Sequence, residues 1–147
     1  MNRFGYTLME VMVVVIVIGI MVTIAIPAYV NNMEQARSRE AIHTLMSISE
    51  AEERCRIHNG AYTAALDDLD VALPASLKFF NNAVISNVSG TGNTAVFSAT
   101  MQRNGQTYGG KFKTLKPTGY KITVTGTNGN AAWTTDLNDP VEKYVLP

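Results

Sequence analysis

Gly5-Tyr-Thr-Leu-Met-Glu10 runs directly into VMVVVIVIGIMVTIAIPAYV, residues 11–30, and that junction decides the fold. The twenty residues after Glu10 carry no charge. At ~1.5 Å rise per residue they span roughly 30 Å as a helix, the thickness of a bilayer's hydrocarbon core. Val and Ile favour strands in water, but the run shows no polar alternation, and a lone segment in lipid satisfies its backbone only as a helix. The reading is a membrane-spanning helix. Arg3 precedes it and no other Lys or Arg occurs before Arg37, which places the N-terminus in the cytoplasm and exports the rest. An ordinary cleaved signal fits less well. The apolar run is longer than an h-region, no A-x-A site follows it, and an acidic residue stands at its front.

Outward from this segment, Glu34 to Asn59 reads as an amphipathic helix. Ala41, Leu45, Ile48 and Cys55 recur at spacings of four and three with Ile42 and Ala51 beside them, while Glu40, Glu50, Glu53 and Arg54 lie elsewhere around the axis. Asn59-Gly60 is a terminator, because Gly accepts the left-handed conformation. With Pro27 as a kink, the two stretches form one helix of about fifty residues. Beyond it, Ala61 to Ser76 is a connector with the acidic run Leu66-Asp-Asp-Leu-Asp70 and a stop at Pro74. Strands are expected at Leu77–Ser86, Thr94–Arg103, Tyr120–Gly126 and Ala131–Thr135. Asn104-Gly105 and Asn128-Gly129 are hairpin signals, so adjacent strands are antiparallel. The expected fold is α+β: a long N-terminal helix, membrane-spanning then amphipathic, on a small antiparallel sheet head. Its parts are a short leader at 1–5, a transmembrane helix at 6–30, its amphipathic half at 31–60, and the loop and sheet at 61–147.

The 147 residues allow one domain, and 12 basic against 12 acidic residues give no bulk charge that calls for a nucleic acid partner. The single cysteine, Cys55, excludes an internal disulfide and falls on the apolar stripe, where a buried thiol is the default. His43 and His58 have no acidic or Cys partner at ligand spacing. No nucleophile elbow, phosphate-cradling Gly loop or Ser/His/Asp set is present, so the chain is read as a non-enzyme. Lys111, Lys113, Lys116 and Lys121 form the basic cluster, where a solvated sheet edge is preferred over contact with DNA or another anionic surface.

The front segment resembles the class III signal sequence of type IV pilins and type II secretion pseudopilins. That resemblance is carried by Gly5, Tyr6-Thr-Leu-Met-Glu10 and an apolar run holding Gly19 and Pro27. It implies cutting by a prepilin peptidase between Gly5 and Tyr6, N-methylation of Tyr6, and a helix-kinking role for Pro27 and Gly19. The first mature residue is usually Phe in that family and is Tyr here. Many pilins close a C-terminal loop with two cysteines, which a chain with one cannot do. Glu10 has a physical role of its own. A charge inside the bilayer is costly and such residues mark function, whereas a Glu at the membrane interface costs little. Cleavage would create its partner, the cationic amine of Tyr6 on a neighbouring subunit, and the pairing would reward assembly and fix register. The implied function is a structural subunit of a type IV pilus-like filament. Its partners are copies of itself, the prepilin peptidase and the assembly machinery of the inner membrane; it would stand in that membrane before joining a cell-surface filament for adhesion, motility or DNA uptake. The alternatives are a periplasmic pseudopilin of type II secretion and a membrane-bound binding module that never polymerises. No cofactor is expected. Asp136, Asn138 and Asp139 are the calcium candidates that the pseudopilin alternative would use, although Asp-Leu-Asn-Asp-Pro is more often a turn.

Overall fold

Thr7 starts the helix. Its extended backbone and its side-chain oxygen, which accepts the Glu10 N–H at 3.2 Å, cap the first turn of a helix that then runs from Leu8 to Asn59, fifty-two residues. The computed structural model describes residues 5–74, 77–104 and 119–136. Helix α1 (Leu8–Asn59) passes unbroken through both Gly19 and Pro27. It ends at Gly60, whose φ of 78° is left-handed and whose N–H donates to the Arg56 carbonyl at 2.8 Å. Leu8–Ile26, with a mean hydropathy of 2.8, is long and apolar enough to cross a membrane and is covered by nothing in the head.

The second half of α1 turns one stripe inward. Ala41, Leu45 and Ile48 are fully buried and Ala51 nearly so, as the spacing predicts, while Cys55 sits half-buried at the fringe. Four strands cover that stripe: β1 (Val84–Ser89), β2 (Val96–Gln102), β3 (Lys121–Thr127) and β4 (Asn130–Thr135). They pair antiparallel in sequence order. Phe97, Ala99 and Met101 of β2 and Ile122 and Val124 of β3 face the helix, so the two central strands carry the core. Each such aliphatic or aromatic side chain is worth about 1.5–3 kcal/mol when fully buried. Phe97 needs Gly126 opposite it, because a Cβ there would lie 2.0 Å from the ring. Tyr62, on the connector, meets the same ring edge to face at 4.7 Å.

Asn128 and Gly129, at φ 48° and 79°, make the β3–β4 turn, as the Asn-Gly signal requires. The other hairpin signal, Asn104-Gly105, extends outside the described residues. One strand differs from expectation. The first begins at Val84 rather than Leu77, because the Glu40 carboxylate takes the Lys78 and Phe79 N–H groups at 3.0 and 3.3 Å. The approach to β1 therefore makes one isolated bridge, Phe80 to Arg103, and regular pairing starts only after Asn81-Asn82. The remaining strands lie within two residues of their expected limits.

Candidate assembly site

The extended segment before α1 is open. No atom lies within 4 Å of where a Gly5 side chain would stand, and Tyr6 is 83% exposed. A protease can thus reach the Gly5–Tyr6 bond without unfolding anything, while residues 1–4 of the leader lie outside the described residues. Glu10 stands exposed in the first turn, where the helix dipole favours a carboxylate. Thr7-x-x-Glu10 is a capping-box spacing that the sequence reading did not single out. Among the described residues only half of that box is made: the Glu10 N–H reaches Thr7, and the Glu10 carboxylate makes no return bond. The first basic side chain farther along the helix is Arg37, twenty-seven residues on, about 40 Å along the axis. Glu10 therefore cannot be paired by its own helix and stays available to a neighbour.

Gly19 has open space around it. Pro27 brings no N–H to the helix, so the Thr23 carbonyl has no donor four residues on. Thr23 itself donates its hydroxyl to the Ile20 carbonyl at 2.6 Å.

At the other end of the head a group of buried polar residues fastens α1 to the sheet. Arg103, at the end of β2, donates from Nε to Glu34 Oε1 at 2.6 Å and from a terminal nitrogen to Oε2 at 3.3 Å. It also donates to the Phe79 and Asn104 carbonyls at 2.7 and 2.9 Å. The Tyr120 hydroxyl donates to Glu34 Oε1 at 3.1 Å, and burial together with that carboxylate pushes the phenol well above its ordinary range. Glu34, Arg103 and Tyr120 are all at most 1% exposed. The network was missed in the sequence, yet one signal was there. Glu34 and Ser38 continue the Ala41–Leu45–Ile48 stripe backwards, and Glu52 continues it forwards, so each is a polar residue on the buried face.

Glu52 is fully buried. Its Oε2 accepts the Thr63 N–H at 3.0 Å, its Oε1 has no partner, and desolvation raises its carboxyl above the ordinary value despite the Thr63 bond. Glu53 is the opposite case, held low mainly by Arg56. His43 and His58 are exposed, and no metal-holding group of His, Cys, Asp and Glu exists among the described residues. Asp136 lies beyond β4, its carboxylate accepting the Lys121 N–H at 2.7 Å; Asn138 and Asp139 lie outside the described residues. Of the basic cluster, Lys121 is exposed at the start of β3, and Lys111, Lys113 and Lys116 lie outside the described residues.

Comparison with known proteins agrees with this arrangement. Residues 1–26 match the model of the prokaryotic N-terminal methylation motif, and residues 27–136 that of the type IV minor pilin ComP, DNA uptake sequence receptor. The fimbrial protein EcpC of Eikenella corrodens is 30% identical over 134 residues, 91% of this chain and 82% of that protein. The type II secretion system core protein G of Aeromonas hydrophila is 30% identical over 69 residues, 47% of this chain and 48% of that protein. The same core protein of Vibrio cholerae is 33% identical over 61 residues, 42% of each. No solved structure matches the chain. An N-terminal methylation motif, a single apolar helix ahead of a helix-on-sheet head, and a family match over both parts lead to one conclusion: this chain belongs to the type IV pilin family, as a minor pilin.

Proposed function

We propose that the chain is cut after Gly5, methylated at Tyr6, and built into a type IV pilus, where its head binds DNA. The observation that carries the DNA part is the match of residues 27–136 to the ComP receptor model, which runs from the helix to the end of β4. Charge placement supports it. The chain is neutral as a whole, but Leu8 to Asp70 holds nine acidic residues against four arginines. Between Asp70 and Asp136 stand Lys78, Arg103, Lys111, Lys113, Lys116 and Lys121, with no acidic residue at all. Bulk neutrality argued against a nucleic acid; in sequence the positive charge is gathered after Asp70, and with Arg103 buried against Glu34 it is the lysines of that stretch whose charge phosphates would feel. Membrane insertion with the N-terminus inside, pairing of Glu10 with a neighbour's Tyr6 amine, and a purely non-catalytic role complete the reading.

The pseudopilin alternative is favoured by the core protein G relatives, but those likenesses cover under half of this chain, whereas EcpC spans 91% of it. In a deletion strain, surface filaments should persist and uptake of added duplex DNA should fall. Normal uptake with loss of secreted enzymes would overturn the proposal in favour of the pseudopilin. In that case calcium should stabilise the head through Asp136 and its neighbours.

A further inference from the structure

The sheet turns its other face to solvent, and at one corner that face is hollowed. Asn81, Asn82, Ser86, Thr100, Gln102 and Lys121, with Val84 among them, line a groove of about 360 Å³ across β1, β2 and β3. Thr100 and Gln102 point outward because Phe97, Ala99 and Met101 alternate with them towards the core. Ser86 and Thr100 are held in place, the first donating to the Ser98 carbonyl at 3.3 Å and the second sharing a hydrogen bond with Thr123 at 2.9 Å. The side-chain amides of Asn81, Asn82 and Gln102 make no hydrogen bond among the described residues, although the Asn81 backbone is anchored to the Gln102 carbonyl at 2.9 Å. No carboxylate lines the groove. Asp136 is nearby, but its carboxylate is turned to the Lys121 backbone.

We infer that this groove reads base edges in the duplex that the head binds, an inference that rests on the DNA reading above. Three unengaged carboxamides meet in this groove, Gln102 at the end of β2 and Asn81 and Asn82 just before β1. Each offers a donor and an acceptor in one plane, the pattern that matches adenine in the major groove. Val84, 62% exposed at the groove's edge, offers apolar contact of the kind a thymine methyl takes. Lys121 supplies the positive charge for a flanking phosphate, which positions the duplex without reading it. A cation would find no carboxylate here, and a bare anion would use the amide N–H groups but leave their carbonyl oxygens without a donor. The groove thus specifies, and Lys121 at its edge adds affinity.

The test uses the full processed chain in zwitterionic nanodiscs and fluorescein-labelled 24-base-pair duplexes. One pool is random; a second is enriched from it by rounds of selection on the wild-type protein. The wild type should prefer the enriched pool. The double variant Asn82→Ala, Gln102→Ala should lose about tenfold of that preference and keep its affinity for the random pool. Gln102→Glu, which keeps side-chain size, should weaken both. Lys121→Gln should weaken both pools alike and lower the salt slope by about one ion. Melting curves matching the wild type certify that each variant is folded. If selection enriches nothing, or the double variant keeps the full preference, the groove is not the reader and DNA binding itself still stands. If the wild type binds no duplex even at low salt, the DNA reading fails and the groove assignment falls with it.

Discussion

Glu10 and Glu34 are both carboxylates on one helix, and they show how differently a charge can be used. Glu34 has its partners within the chain: Arg103, Tyr120 and the neighbouring Arg37. Glu10 has none within reach along its own helix. For Glu10→Leu, insertion and cleavage should be unharmed, because the cut site is untouched and a charge has been removed from lipid. The variant should enter filaments poorly: stranding one member of a buried pair costs about 3–5 kcal/mol, enough to reduce incorporation at least ~tenfold. A blot for processed subunit beside a shearing assay reads both effects, and processed subunit incorporated at the wild-type level would refute the pairing. Arg103→Ala should destabilise the head by about 3–5 kcal/mol by leaving Glu34 buried without its main partner. Replacing both, as Arg103→Met with Glu34→Leu, should recover most of that loss in a denaturant melt. The first carboxylate was singled out in the sequence because its own apolar run holds no basic residue. The second was not, because its partner is sixty-nine residues away and only the fold brings them together.

The helix was legible almost end to end, since periodicity, apolar length and the Asn59-Gly60 stop are local signals. The sheet was legible in number and direction of strands but not in where the first begins. That strand's start is set by Glu40, which lies on the helix thirty-eight residues before Lys78, and no local pattern records such a bond. The connector after α1 is held partly by the Thr63 N–H on Glu52, and this contact is sensitive to pH. Because the folded-state carboxyl of Glu52 is raised, the folded chain holds a proton there more tightly than the unfolded chain does. Its contribution to stability is full below the ordinary carboxyl value and is lost as pH rises through the raised one. Glu52→Gln keeps an acceptor for Thr63 and removes the titration. The variant should therefore gain stability over the wild type as pH rises above about 4.5, and match it more closely at lower pH. Melting both proteins across that range checks the sign; a difference that does not change with pH would show that Glu52 titrates normally.

The described residues form a two-part object: an apolar rod left uncovered, and a head in which the amphipathic half of α1 is fastened to the sheet by the buried Glu34–Arg103–Tyr120 network. Such a rod is stable in a bilayer or in the centre of a bundle of its own kind, and passage from the first to the second is assembly. The clamp sits eight residues past the last residue of the apolar span. The proposed assembly depends on Tyr6 becoming a free cationic terminus. The decisive measurement is the intact mass and N-terminal sequence of the chain recovered from sheared surface filaments. The expected result is a subunit that begins at Tyr6 and carries one added methyl group on its amine. A chain still beginning at Met1, or one cut beyond Val30, would contradict the account.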